Sequence, residues 1–373
     1  MTRLRDPETD RRFMGEALEL ARSVLGLTSP NPAVGCVIVR GGRVAGRGAT
    51  APGGRPHAET VALAEAGARA RGATAYVSFE PCAHFGQTPP CARALVEAGI
   101  ARVVVGCVDP FPKVRGRGIA ILKRAGIEVS SGVLEQECRA LNEGFITRVA
   151  TGRPFAILKL AATLDGRIAA AGGDSRWISS TASREMVHRW RREADAVMVG
   201  AGTVLADNPR LTCRIEGGRD PVRVIVDGQL RAPADARVFT ERSNAPAILV
   251  TTRANLERAQ IRYGSARVEV LGAPTRSGEI ALDDVMEEFG RRGWCKVLIE
   301  GGAHLAGAAL RQKIVDRVAL FLAPRILGCG LAAVEGLGFD KVKRSIRLAG
   351  LSARPVGDDW LLEGRPVVGL KAR

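Results

Sequence analysis

The stretch PCAHFGQTPPC, residues 81–91, sets two cysteines on a polar loop punctuated by prolines. Such a pair serves either a disulfide or a metal. Working upstream, PHAET at residues 56–60 places His57 and Glu59 at the predicted start of a helix that runs on through AETVALAEAGARA. His57, Cys82 and Cys91 together supply one nitrogen and two sulfurs, a donor set for Zn²⁺ that leaves the fourth tetrahedral position open to water. An open position is what separates a catalytic zinc from a structural one. An ion held this way brings the pKa of water toward neutrality. Cys82, beside Pro81 and close to a helix start, ionises readily because helix N-termini favour thiolate. Glu59, not needed as a ligand, is free to carry protons from water to a departing group.

Composition sets the context for this site. At 373 residues with 46% hydrophobic and 25% charged side chains, the chain is globular and long enough for two domains. No apolar run approaches a membrane span, and MTRLRDPETDRRF lacks the apolar core of a signal peptide. A cytoplasmic location is therefore expected, where thiols stay reduced and a metal is favoured over a disulfide. The net charge of +16 invites a nucleic-acid partner. However, the charge is spread along the chain, and with only 4% aromatic residues there are few stacking platforms for single strands. No nucleic acid is expected; a basic chain also suits phosphorylated small molecules.

Residues 1–150 alternate helix and strand: a helix spanning Phe13, Ala17, Leu20, Ala21 and Val24, a strand at AVGCVIVR with a hairpin partner in GGRVAGRGAT, the helix after His57, and a strand at ATAYVSFE. A helix from about Cys91, a strand at ARVVVGCVD, a helix near GIAILKRAG, a strand at IEVSSGV and a helix from Cys138 to Val149 follow. ATGRPF marks the boundary at 150/151. Residues 151–373 restart the alternation, with strands expected at FAILKLAATLDG, ADAVMVGAGT, PVRVIVDG, PAILVTT, RVEVLG, CKVLIEGG and RVALFLAP. Both halves are α/β. Cys36 and Cys107 lie inside apolar strands and read as core, while Cys138, Cys213, Cys295 and Cys329 show no ligand spacing.

The order H-x-E followed by P-C and a second cysteine is the zinc nucleobase-deaminase signature, here with eight residues instead of two between the cysteines. PNPAVGCVIV, PHAE, EPCAHFGQTPPC and VDPFPKVRGRG together resemble the deaminase half of the bifunctional riboflavin-biosynthesis deaminase–reductases. LKLAATLDGRIA, GDSRWISS, ADAVMVGAGTVLADNPRLTCR and VLIEGGAHLAGA resemble the reductase half. The resemblance covers nearly the whole chain, in the family's domain order. It implies a cytidine-deaminase-like three-layer domain, residues 1–150, followed by a dihydrofolate-reductase-like domain, residues 151–373. It also implies hydrolytic deamination of a diaminopyrimidinone carrying a ribosylamino 5′-phosphate, with Glu59 protonating the ring nitrogen and then the leaving ammonia. NADPH reduction of the ribosyl group to ribityl follows, with hydride delivered to C1′. Asn31, His84, Asp109 and Lys113 match substrate contacts of the deaminase half; within this motif Asn31 and His84 read as functional, Asp109 reads equally as a turn residue, and Lys113 as a phosphate contact or a solvated loop lysine. Thr50, Gln87 and Phe111 stand where the family more often has histidine, a basic residue and asparagine.

In the reductase half, KVLIEGGAHLAGAAL reads as strand, glycine turn and helix, a form that brings backbone N–H groups to a pyrophosphate. VGAGTVLADNP contains only G-x-G, short of a full dinucleotide fingerprint. The resemblance assigns NADPH to Ala161, Trp177, Thr203, Asp207, Gly302, Ala303, His304, Leu305, Ala306, Gly307 and Ala308. It assigns the phosphorylated substrate to Ser175, Arg191, Leu211, Arg214 and Glu300. Lys159 joins the substrate set on physical grounds, because an ammonium on an apolar strand needs a carboxylate or the substrate as partner. Arg191 and Arg214 offer planar forks suited to phosphate. Trp177 suits either stacking on the nicotinamide or packing in a core, Asp207 either the ribose or a helix N-cap, and His188 reads as a surface residue. A homo-oligomer through the reductase domain is a further possibility. The competing reading is a nucleic-acid or free-nucleobase deaminase with a basic, non-catalytic second domain.

Overall fold

A computed structural model describes residues 6–83, 85, 89–111, 114–264 and 267–368. The chain divides into two compact units, Met1–Gly152 and Arg153–Arg373.

The first unit is built on a five-stranded sheet of order β2-β1-β3-β4-β5. Its strands are β1 (Gly35–Arg40), β2 (Arg43–Ala49), β3 (Thr74–Phe79), β4 (Arg102–Cys107) and β5 (Glu128–Ser131). β1 is antiparallel to both neighbours, whereas β3, β4 and β5 run parallel. Helices α1 (Pro7–Ser23) and α5 (Glu135–Leu141) pack on one face; α2 (Ala58–Ala66), α3 (Cys91–Glu97) and α4 (Arg117–Arg124) cover the other. Two glycines bring α2 close to the sheet. A Cβ at Gly46 would lie 2.3 Å from the Ala62 carbonyl oxygen, and one at Gly48 would lie 2.2 Å from that of Ala58. Any side chain there would push away the helix that follows His57. A buried carboxylate, Asp10, ties α1 to the sheet by accepting two hydrogen bonds from Arg102, at 2.8 and 2.7 Å, and one from the Tyr76 hydroxyl at 3.0 Å.

The single helix expected from Cys138 to Val149 is two, α5 and α6 (Glu143–Thr151). They part at Asn142 because its carboxamide is committed to Ala33: Nδ2 donates to the Ala33 carbonyl at 3.0 Å, and the Ala33 N–H donates to Oδ1 at 2.9 Å.

The second unit holds a nine-stranded sheet of order β11-β10-β9-β8-β14-β6-β15-β18-β17. In chain order its strands are β6 (Phe155–Thr163), β8 (Ala196–Gly200), β9 (Val222–Val226), β10 (Ala247–Thr252), β11 (Val268–Ala273), β14 (Lys296–Ile299), β15 (Arg317–Ala323), β17 (Ile346–Val356) and β18 (Asp359–Val368). Short pairs complete it, β7 (Arg167–Ala169) with β16 (Leu331–Ala332) and β12 (Thr275–Arg276) with β13 (Glu279–Ile280). The seven strands from β11 to β15 are parallel, and β18 and β17 close the edge as an antiparallel hairpin. Helices α7 (Thr181–Glu193), α8 (Ala201–Asp207), α9 (Arg237–Thr240), α10 (Leu256–Tyr263), α11 (Leu282–Arg291) and α12 (Ala303–Arg311) connect the strands. The strand expected across ADAVMVGAGT stops at Gly200, and its second half is α8. The terminal hairpin was not expected, because nearly every residue of β17 is exposed and its sequence carries no buried face to read.

Candidate active sites

In the first unit, three elements meet beyond the carboxyl end of the central strand β3. His57 stands at the N-cap of α2, Cys82 three residues past the end of β3, and Cys91 at the start of α3. Their ligand atoms lie within 4.8 Å of one another. His57 faces both sulfurs with Nδ1, 3.2 Å from Cys91 Sγ and 3.6 Å from Cys82 Sγ. The Cys91 N–H donates to Cys82 Sγ at 3.2 Å. A hydrogen bond from the Cys91 thiol holds Cys82 down at about 4, and the same contact pushes the Cys91 thiol up.

Glu59 lies in the first turn of α2 and is 3% exposed. Burial, reinforced by the charge on Cys82, raises its carboxyl to about 7. Asn31 Nδ2 donates to the Gly54 carbonyl at 3.3 Å, three residues before His57. Asp109 is buried, and its Oδ1 accepts the Phe111 N–H at 2.8 Å, a turn-forming contact. Thr50 is spent internally: its hydroxyl accepts the Val34 N–H at 3.1 Å and faces the Pro32 carbonyl at 3.3 Å. A residue there serves the 32–34 backbone. His84, Gln87 and Lys113 lie outside the described residues.

Sequence reading passed over Glu80. It is 5% exposed, and its carboxylate accepts the N–H groups of Asp109, Gly116, Gly118 and Ile119. It opens the EPCAHFGQTPPC stretch, but that stretch does not disclose its role, since all its hydrogen-bond donors here are main-chain amides.

In the second unit, β8, β14 and β6 lie side by side and the chain leads from β8 and from β14 toward opposite edges of the sheet, the switch-point topology at which open α/β sheets place ligands. α8 and α12 both begin there, and the Gly302 N–H donates to Thr203 Oγ1 at 3.1 Å. Glu300 follows β14 and receives two bonds from Arg191 of α7, Nε to Oε1 at 2.6 Å and an NH2 nitrogen to Oε2 at 2.9 Å. The third nitrogen of Arg191 donates to the Thr212 carbonyl at 3.1 Å, so this guanidinium is engaged by the protein on every side. Burial alone would raise Glu300, but Arg191 and then Lys159 outweigh it and hold the carboxyl below its ordinary value. Lys159 of β6 is lowered by burial, opposed by Glu300.

Leu211, at φ +57°, packs in one core cluster of this unit, and Leu305 and Ala306 of α12 pack in the other, so none of the three side chains is exposed. Gly307 is required elsewhere, because a Cβ there would lie 1.7 Å from the Glu335 carbonyl oxygen. Ala303 is buried, Ala161 and Ala308 are half-buried, and the His304 side chain points to solvent. Ser175 sits half-buried in the loop before α7. Trp177 in the same loop is 62% exposed, with the Arg184 guanidinium 4.5 Å from its ring centre, which removes the core-packing alternative. Asp207 ends α8, so it is no N-cap, and Arg214 is exposed.

His188 is not simply a surface residue. Its Nδ1 accepts the Arg214 N–H at 3.3 Å, and burial, with Arg191 and Arg214, lowers it to about 4 from the ordinary 6.5. Between those values the unfolded chain binds the additional proton. Stability of this unit therefore rises with pH through that window and is lost as pH falls. His188→Gln is expected to flatten that part of a Tm–pH profile; a profile identical to wild type would remove His188 as its source.

The first unit thus presents the nitrogen, two sulfurs and buried carboxylate of a zinc-type hydrolytic deaminase, and the second an α/β sheet with two helix starts joined at its switch point, a topology suited to a reductase. Residues 7–107 match the cytidine and deoxycytidylate deaminase zinc-binding region, and residues 154–362 match the RibD C-terminal domain. The chain is 43% identical over 360 residues to the riboflavin biosynthesis protein RibD of Synechocystis, spanning 95% of this chain and 96% of that one. It is 39% identical over 356 residues to RibD of Aquifex aeolicus, spanning 95% and 98%. The structure of Acinetobacter baumannii RibD superposes with a TM-score of 0.83 at 38% identity, covering 97% of this chain and all of that one. A Thermotoga maritima diaminohydroxyphosphoribosylaminopyrimidine deaminase/5-amino-6-(5-phosphoribosylamino)uracil reductase also gives 0.83 at 38% identity, covering 97% and 99%. The chain belongs to the RibD family and is a bifunctional deaminase and reductase of riboflavin biosynthesis.

Proposed function

We propose that residues 1–150 deaminate 2,5-diamino-6-ribosylamino-4(3H)-pyrimidinone 5′-phosphate, and that residues 151–373 then reduce its ribosyl group to ribityl with NADPH. The observation that carries this reading is the convergence of His57 Nδ1, Cys82 Sγ and Cys91 Sγ beside the buried Glu59. The donor set fits zinc. Zn–S bonds of about 2.3 Å and Zn–N bonds of about 2.0 Å at a tetrahedral angle put nitrogen and sulfur about 3.5 Å apart; here the two separations are 3.2 and 3.6 Å. Zinc held by His57, Cys82 and Cys91 would lower the pKa of a water. Glu59 takes a proton from the attacking water, passes it to the ring nitrogen, and carries the next to the departing ammonia, so that C–NH₂ and water become C=O and NH₃. A carboxyl near 7 suits both acceptance and return. Asn31, His84, Asp109 and Lys113 hold the substrate.

In the second unit, the turn at Gly301 and Gly302 and the start of α12 fit a pyrophosphate, and Ala161, Trp177, Thr203, Asp207 and the 302–308 backbone complete the NADPH site. NADPH supplies the hydride for C1′. Lys159, Ser175, Leu211, Arg214 and Glu300 hold the substrate; Arg191 orients Glu300, leaving Arg214 as the freer fork for the phosphate. The exposed edge strand β17 supports a homo-oligomer through this unit. The eight free cysteines support a reducing, cytoplasmic location. Among the described residues no helix is long and apolar enough to cross a membrane.

The test is mass spectrometry of the aminopyrimidine incubated with zinc-loaded protein, with and without NADPH. Exchange of one amine for oxygen without NADPH, then gain of two hydrogens with it, is expected. No mass change from folded, zinc-loaded protein sinks the substrate assignment. Light scattering of the same sample reads the assembly, and a monomer mass overturns the oligomer.

A further inference from the structure

Glu80 is a buried carboxylate whose hydrogen bonds reach across a loop to a neighbouring helix. Oε2 accepts the N–H groups of Asp109 at 3.2 Å and Gly116 at 3.0 Å; Oε1 accepts those of Gly118 at 3.0 Å and Ile119 at 3.4 Å. Asp109 opens the β4–α4 connection, while Gly116, Gly118 and Ile119 lie at the N-cap and first turn of α4, where unpaired amides favour an anion. At its other end, Glu80 is anchored to the sheet, donating its own N–H to the Cys107 carbonyl at 2.9 Å. Two residues further along is Cys82. The fit is tight, since a Cβ on Gly118 would lie 1.9 Å from the Pro81 carbonyl oxygen.

Burying a carboxylate is costly unless it is well hydrogen-bonded. A glutamine of the same shape brings one acceptor oxygen and one NH₂, which would face N–H donors that it cannot satisfy. The charged form is therefore matched to its surroundings, and the match lies between the strand leading to Cys82 and the connection bearing Asp109.

We propose that Glu80 is a positioning residue of the deaminase site, clamping Asp109 and the Gly116–Ile119 turn at a set distance from the Cys82 ligand. The assignment rests on the deaminase reading of the His57, Cys82 and Cys91 cluster. Glu80 acts through Asp109 and the backbone, touching no reacting atom, so its loss acts on substrate binding before it acts on chemistry.

The test compares Glu80→Gln and Glu80→Asp with wild type, as full-length zinc-loaded protein. In E80Q the KM for the aminopyrimidine is expected to rise about tenfold or more with kcat within about threefold. Zinc content and the reductase rate on deaminated substrate stay at wild-type values. E80D, which keeps the charge but shortens the reach, is expected to fall between, and it carries the test if E80Q does not fold. Hydrogen exchange supplies the independent reading: the Asp109, Gly116 and Gly118 amides should exchange at least about tenfold faster in the variants. Unchanged KM, or unchanged exchange, in a folded variant overturns the proposal. Should wild type leave the aminopyrimidine unaltered, the substrate reading falls, and exchange alone then decides whether the clamp exists.

Discussion

Glu59→Gln is expected to lower the deamination rate by about 10² to 10⁴, the range that a positioned proton carrier contributes, while zinc content and reduction of already deaminated substrate remain unchanged. The reason is geometric. Glu59 lies in the first turn of α2, directly after His57, and is buried against the two cysteines, so an amide of the same size keeps the packing and loses only proton exchange. Ammonia release and metal analysis on one preparation check it. A variant within about tenfold of wild type would mean that some other group moves the protons. Removing zinc with a chelator should give the complementary result, loss of ammonia release with the reductase intact, because the two units hold separate cores.

The second large effect lies in the reductase unit. Glu300→Gln removes the negative member of a buried set and leaves Arg191 and Lys159 without their counter-charge. Breaking a buried pair this way costs about 3–5 kcal/mol, because the remaining charge stays desolvated. Reduced stability of this unit in urea and loss of NADPH oxidation are both expected. The double variant Arg191→Met with Glu300→Leu separates the causes. An apolar replacement of both partners is often neutral in stability, so the share of the loss that comes from unpaired Arg191 should return, the share from Lys159 should stay, and reduction should not recover. Recovery of NADPH oxidation in the double variant would make the pair structural and remove Glu300 from the substrate site.

Which parts of this were legible beforehand follows from where the information resides. His57, Glu59, Cys82 and Cys91 could be read because metal chemistry demands particular side chains in a particular order, and the alternating apolar runs declared an α/β fold in both halves. The terminal hairpin could not, since β17 is solvent-exposed along almost its whole length. Nor could the break at Asn142, whose partner Ala33 is 109 residues away. Thr50 illustrates a departure that carries weight only when the fold is seen: its hydroxyl is spent on the 32–34 backbone.

The sequence by itself thus determined the kinds of atoms available, the layer architecture, and the order of the two chemistries. Tertiary structure alone decided that Glu80 clamps a loop, that Arg191 is spent on Glu300, that Trp177 faces solvent, and that His188 is held neutral beside Arg214. The physical reason is common to the four. Main-chain amides are the same in every residue and leave no mark in a sequence, and burial and the field of distant charges exist only once the chain has closed on itself.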